Sequence, residues 1–361
     1  MSALSLREAA GQVLVVGLEG TQLSALESAW LRLLRPGGVI LFRRNIESAE
    51  QTHALLKATK QTVASPLLRC IDVEGGTVDR LRDLIAPLPS PLAVAGTNKP
   101  ALFKKHGSLI GQEVRLLGLN TSFAPVLDLR TSDSESVMTT RVVSSDPAKV
   151  TAYAKNFLQG LAEHGVLGSG KHFPGLGSGP VDSHHATPTI TKPLASLWNE
   201  DLLPYRRLVA QLPMVMVSHA SYSAAVEEPA SISAYWITEV LVREIGYQGL
   251  IVSDDMEMGG LLNYMGIAEA TVRSLAAGMH VVEICRTPAL IFAAYEALLR
   301  EAENSPAFAR ILRRAAARAQ TFMTKRLKAD ALPAPPTESA VRKIRSAVEH
   351  FAGLVAKEGA S

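Results

Sequence analysis

Along the first 284 residues, short apolar runs alternate with stretches of helical spacing, and few folds tolerate that alternation. The runs lie at 12–17, 38–42, 67–73, 122–128, 165–172, 214–219, 249–254 and 279–284, several of them rich in β-branched side chains. Between them, segments such as 23–34, 54–63, 148–164 and 237–245 place apolar residues three and four apart, as amphipathic helices do. Val215-Met216-Val217 and Leu250-Ile251-Val252 are apolar at every position rather than at every second one. Strands of that kind are buried on both faces, as parallel strands sandwiched by helices are. The pattern predicts an α/β chain folded as a (β/α)8 TIM-type barrel with extra C-terminal helices, a fold of about 250 residues. A doubly wound open sheet is the alternative.

Polar and ionisable residues gather where the runs end. They are Asp72 and Glu74, Asp128, Lys171 and His172, His219, and Asp254 and Asp255. A single Asp at a strand end has an ordinary turn explanation. The repetition across five runs is what points to the barrel's carboxyl end, where such enzymes build their sites.

Composition narrows the class further. The chain has 361 residues, 47% of them hydrophobic and 20% charged, which is ordinary globular usage and excludes disorder for most of it. Aromatic residues reach only 5%, too few for a platform that stacks nucleic-acid bases. The net charge of +3 is uneven, since residues 301–361 carry 11 basic and 6 acidic side chains. A solvated helix face accounts for that excess better than a polyanionic partner, so no nucleic acid is expected. Cys70 and Cys285 sit in apolar runs as small core residues rather than as a disulfide framework. No run approaches the length of a membrane span, and the N-terminus lacks a signal-like pattern, so a cytoplasmic location is expected. The division expected is a catalytic domain over 1–300 and a helical extension over 301–361, with a proline-rich connector at 332–336.

The densest chemistry lies at 168–185, where a run ending in Lys171-His172 meets a glycine-rich stretch and then Asp182-Ser183-His184-His185. A phosphate loop would need Gly-Lys-Ser/Thr opening a helix, but His172 and Pro174 follow Lys171. The histidines show no metal-ligand spacing, and no metal or other cofactor is expected. A carboxylate two residues from an imidazole suits proton transfer near neutral pH, although a chance loop pair is the plainer reading. At Ser253-Asp254-Asp255 one acid can cap the turn that follows, and the other can face the barrel mouth as a nucleophile.

Lys171-His172-Phe173-Pro174-Gly175-Leu176-Gly177, followed by Asp182-Ser183-His184, resembles the signature of glycoside hydrolase family 3. Within it, the pattern is similar to the single-domain bacterial β-N-acetylhexosaminidases that recycle cell-wall fragments. The segments 71–80, 37–45, 123–128 and 249–256 resemble further blocks of that family in the same order. The resemblance implies Asp254 as nucleophile, His184 as acid/base with Asp182 as its partner, and Asp72, Arg80, Arg141, Lys171 and His172 as sugar-binding residues. Three positions depart from the family pattern: Leu176 stands in place of His, Thr77 in place of Arg, and His280 in place of Asp.

The implied function is a retaining exo-β-N-acetylglucosaminidase acting on N-acetylglucosaminyl-anhydromuramyl fragments, as a monomer or homodimer. Phosphorolysis at the same site is a variant. A Schiff-base aldolase built on Lys171 and a non-catalytic sugar-binding protein are the competitors from other classes.

Overall fold

The computed structural model describes residues 4–64, 66–132, 138–177, 187–327 and 331–359. Its centre is a closed barrel of parallel strands: β1 Leu14–Gly17, β2 Gly38–Leu41, β3 Leu68–Ile71, β4 Thr121–Ser122, β5 Leu167–Phe173, β6 Met214–Val217, β7 Leu250–Asp255 and β8 Val281–Ile284. Each strand pairs with its neighbours in sequence, and β8 closes on β1 through Leu14 with Val282, Val15 with Glu283 and Val16 with Ile284. That closure excludes the open sheet.

Alternation along each strand separates two apolar layers. Val15, Ile40, Leu68, Cys70, Phe123, Met214, Met216, Leu250, Val252 and Val281 fill the interior of the barrel. Their neighbours Val16, Val39, Leu41, Ile71, Val215, Val217, Ile251 and Val282 face outward into a larger core. That core is shared with α1 (Leu6–Gln12), α2 (Ala25–Leu34), α3 (Ala49–Val63), α4 (Pro100–Leu116), α5 (Pro147–Ala162), α6 (Tyr235–Glu244, wound as a π-helix), α7 (Ile267–Ala277) and α8 (Pro288–Asn304). The continuous apolar runs in the sequence have this cause, since both strand faces are covered.

Two strands fall furthest short of the runs that mark them. The run 122–128 yields only Thr121–Ser122 as strand, because Pro125 has no N–H for the ladder; the chain rejoins through a single bridge from Val126 to Lys171. Likewise β3 stops at Ile71, and Val73–Gly75 pairs antiparallel with Val78–Asp79 as a separate hairpin above the barrel.

After residue 300, α9 (Pro306–Arg326) crosses the amino-terminal end of the barrel. Ala319, Phe322, Met323 and Leu327 join the interior cluster and close it from below. The last helix, α10 (Glu338–Gly359), lies along the barrel flank, where Ile344, Val348, Phe351 and Val355 enter the outer core. No helix among the described residues is long and apolar enough to cross a membrane.

Candidate active site

The carboxyl end of β3 supplies Asp72, and the hairpin after it supplies Glu74. Glu74 is buried, and its two carboxylate oxygens accept from Arg141 Nε and Nη2, each at 2.8 Å. Lys171, at the end of β5, reaches Glu74 Oε1 at 2.7 Å and Asp72 Oδ1 at 3.0 Å. Burial alone would raise the Glu74 pKa, but the Arg141 and Lys171 charges outweigh it and hold the carboxyl far below the usual range. Burial works against the Lys171 ammonium, yet Asp72 and Glu74 push its pKa above the ordinary lysine value. An amine held charged in two ion pairs is not a nucleophile, so the geometry opposes a Schiff base at Lys171. Arg80 approaches the other oxygen of Asp72 at 3.9 Å, and its guanidinium lies 5.7 Å above the Phe42 ring. Both side chains are open to the mouth, with 30% and 16% exposure for Arg80 and Asp72.

His172 is oriented by a carboxylate from the neighbouring strand loop. Its Nδ1 lies 2.6 Å from Asp128 Oδ2, and Asp128 also accepts the backbone N–H groups of His172 and Leu176. Arg141 Nη2, which can only donate, lies 3.4 Å from Nε2 of the same ring. The nitrogen facing Asp128 therefore carries the hydrogen. Asp128, buried with all these donors around it, is a fixed anchor rather than a group facing substrate.

On the opposite wall, β7 ends in the two acids, and the structure separates them. Asp255 Oδ1 accepts the N–H groups of Glu257 at 3.0 Å and Cys285 at 3.2 Å, tying the turn after β7 to the end of β8. Burial, with Glu257 and Asp254 nearby, raises its pKa to about 7. Asp254 accepts the Asp255 N–H at 2.9 Å and faces the mouth. Burial raises its pKa, but His172, His219, Lys171 and that N–H together lower it below the usual value, so the carboxylate is ionised. His219 is locked behind the pair. Its Nε2 donates to the Asp255 carbonyl at 3.0 Å, its Nδ1 lies 2.7 Å from Ser231 Oγ, and burial lowers the pKa of the ring.

Asp72, Arg80, Arg141, Lys171, His172 and Asp254 are thus brought to one end of the barrel. Asp182 and His184 fall within 178–186, outside the described residues. The described ends of that segment are anchored on two sides of the mouth: Thr131 Oγ1 donates to the Gly177 carbonyl, and Thr187 Oγ1 to that of Gly260, just past β7.

Of the three departures from the family pattern, only Leu176 touches these contacts, and it does so through its backbone. Leu176 is buried and uses its N–H on Asp128, while Thr77 is exposed at the hairpin turn. His280 sits at the foot of β7, where its ring accepts the Ile251 N–H at 3.0 Å; burial drives its pKa down to about 3.

One residue escaped the sequence reading. Glu283 stands on β8 level with Asp255 in the ladder and points into the barrel, with 2% exposure. Its Oε1 has no hydrogen-bond partner among the described residues. Burial, with Asp72, Asp254 and Asp255 nearby, pushes its pKa well above the usual range, so it is a neutral acid in the barrel wall. The signal was an acid at an inward position of an otherwise apolar run, Val281-Val282-Glu283-Ile284. Glu74, Asp128 and His219 were legible as strand-end polar residues, but their pairings were not.

Known proteins resemble this chain over most of its length. The glycosyl hydrolase family 3 N-terminal domain matches residues 5–321. A protein of Alkalilimnicola ehrlichii named β-hexosaminidase is 39% identical over 282 residues, covering 76% of this chain and 81% of its own. One of the same name from Xanthomonas oryzae is 34% identical over 84% of this chain and 92% of its own. A family 3 β-N-acetylglucosaminidase structure from Paenibacillus superposes with a TM-score of 0.91 and 29% identity, over 97% of this chain and 68% of that one.

Proposed function

This chain belongs to glycosyl hydrolase family 3 and is a glycoside hydrolase, and we propose that its activity is that of a retaining exo-β-N-acetylglucosaminidase. The observation that carries the reading is an ionised Asp254 facing a cradle of the charged Asp72, Lys171 and Arg141 side chains and the His172 ring.

In this mechanism Asp254 attacks the anomeric carbon while His184 gives its proton to the departing glycosidic oxygen. A glycosyl–aspartate ester forms and the aglycone leaves as an alcohol. His184 then takes a proton from water, whose oxygen attacks the same carbon and frees Asp254 and the sugar. Asp182 orients the His184 ring, and Asp72, Arg80, Arg141, Lys171 and His172 bind sugar hydroxyls. Positive and neutral donors suit an uncharged, polyhydroxylated ring, and the ionised nucleophile waits without a counter-ion bonded to it among the described residues. The relatives' names support a terminal N-acetylated hexosamine as the sugar. The biological substrate in this reading is a peptidoglycan-derived N-acetylglucosaminyl-anhydromuramyl fragment, met in the cytoplasm by a monomer or homodimer.

The test is hydrolysis of p-nitrophenyl N-acetyl-β-D-glucosaminide against p-nitrophenyl β-D-glucoside, with and without inorganic phosphate. The N-acetyl substrate should be strongly preferred, and the product should be free N-acetylglucosamine. A sugar phosphate as product replaces hydrolysis by phosphorolysis. Preference for the glucoside overturns the sugar assignment.

A further inference from the structure

Helix α10 lies beyond residues 5–321, the part that matches the family domain, yet it touches the loop that carries Asp72, Glu74 and Arg80. Phe351 is 1% exposed and stacks on His106, with ring centres 5.8 Å apart and 28° between planes. His106 on α4 is wholly buried, held at Nδ1 by the Tyr153 hydroxyl at 2.8 Å and edge-on against Phe157. Its remaining nitrogen, Nε2, has no hydrogen-bond partner among the described residues and abuts Gly75. A Cβ at Gly75 would lie 2.8 Å from that nitrogen and 2.3 Å from the Pro89 carbonyl oxygen, and Gly75 itself has φ of +95°. Only glycine fits so close an approach at that conformation. Gly75 directly follows Glu74, the carboxylate that holds Lys171 and Arg141.

A second contact secures the far end of the same loop. Arg345 of α10 donates from Nε to the Ile85 carbonyl at 2.7 Å and from Nη2 to the Leu84 carbonyl at 3.0 Å. Between these supports the loop is laced by Asp79, whose oxygens accept the N–H groups of Leu81 and Leu88. Arg80 lies on the stretch so held, and Glu74 and Asp72 directly precede its first support at Gly75.

We infer that Phe351 and Arg345 are positioning residues for the sugar site: α10 is the back wall that fixes the loop bearing Asp72, Glu74 and Arg80. The inference rests on the reading of that loop as part of the sugar cradle. His106 transmits the support as an apolar wedge, and burial, which drives its pKa down to about 3, keeps it uncharged there.

The experiment uses Phe351→Ala, Phe351→Leu and Arg345→Gln in the full chain, with hydrogen–deuterium exchange and steady-state kinetics on the N-acetylglucosaminide. Phe351→Ala should speed exchange across 72–90 without changing β7, and raise KM roughly tenfold while kcat moves less than about threefold. Phe351→Leu should restore most of both, and Arg345→Gln should give a smaller effect of the same kind confined to 81–90. Should Phe351→Ala fail to fold, Arg345→Gln, which removes only two carbonyl contacts, decides the matter by the same readouts. Unchanged exchange at 72–90 in a folded variant overturns the inference. So does faster exchange with KM unmoved, since the wall would then support a loop that does not place sugar. A wild-type chain inactive on the N-acetylglucosaminide overturns the functional reading alone, because the exchange comparison needs no substrate.

Discussion

The two ends of the barrel solve opposite problems with the same strands. At the foot, Leu68, Met214, Leu250 and Val281 meet Phe322 and Met323 of α9 in a wholly apolar plug. At the mouth, Glu74 and Arg141 from the loops join Lys171, Asp254 and Glu283 from the strands, packed together with little access to water. Burying hydrocarbon at the foot stabilises the fold by about 25 cal/mol per Å². Gathering charge at the mouth costs several kcal/mol per ion before pairing repays part of it. The difference teaches where mutation is felt: foot changes should act on stability, mouth changes on turnover, and the residues that pair buried charges on both.

The sharpest separation comes from Asp254→Asn. It should lower kcat by at least about three orders of magnitude, as loss of a covalent nucleophile does, while the thermal midpoint stays level or rises. Turnover of the nitrophenyl glycoside alongside a calorimetric scan checks both halves. A variant retaining a tenth of wild-type kcat would remove Asp254 from the nucleophile's role.

Glu74→Gln should break the division. It leaves Lys171 and Arg141 buried with less counter-charge, a change worth about 3–5 kcal/mol when a buried pair loses one partner, and it removes most of the activity. Denaturant midpoints of Glu74→Gln and Glu74→Ala measure it. A loss below about 1 kcal/mol would mean that water reaches the pair and replaces the missing carboxylate.

Met323→Ala tests the foot. The side chain is fully buried in the interior cluster, so its removal should cost about 2–5 kcal/mol. At a temperature where the variant is folded, kcat and KM should stay within about twofold, because the plug lies a strand's length from Asp254. A large change in KM would show that the two ends are coupled through the strands.

The smallest effect concerns Glu283, and it is a matter of pH. Its pKa is raised in the folded chain, so the folded state keeps a proton that the unfolded state releases. The stability this proton contributes is complete below the ordinary glutamate pKa and is lost as pH rises from there toward the folded value. Gln has no proton to lose, so the thermal midpoint of Glu283→Gln should gain on the wild type as pH rises above the ordinary glutamate pKa. Parallel midpoint curves for the two proteins would place a charge on Glu283 in the folded state.

The barrel was readable because its cause is local. A strand covered on both faces must be apolar at successive positions, as Val215-Met216-Val217 is, and the helix after it must carry one apolar stripe. The site could be located for a related reason, since Asp72, Lys171, His172 and Asp254 each end such a strand, and the carboxyl ends of parallel strands share one side of the barrel. The divided roles of the two acids at 254 and 255 were not readable. They depend on the Glu257 and Cys285 N–H groups that claim Asp255, and the latter belongs to a different strand.

The amino-acid sequence by itself determined the barrel, the order of its strands and the side of it on which the ionisable groups collect, because periodicity and chain direction are properties of short segments. Only the tertiary structure decided that Lys171 is a charged clamp between Asp72 and Glu74, that Glu283 is a neutral acid in the wall, and that α10 reaches through His106 to Gly75. Each of these rests on a field or a contact between residues far apart in the chain. Charge state and packing follow distance in space, which periodicity along the chain does not encode.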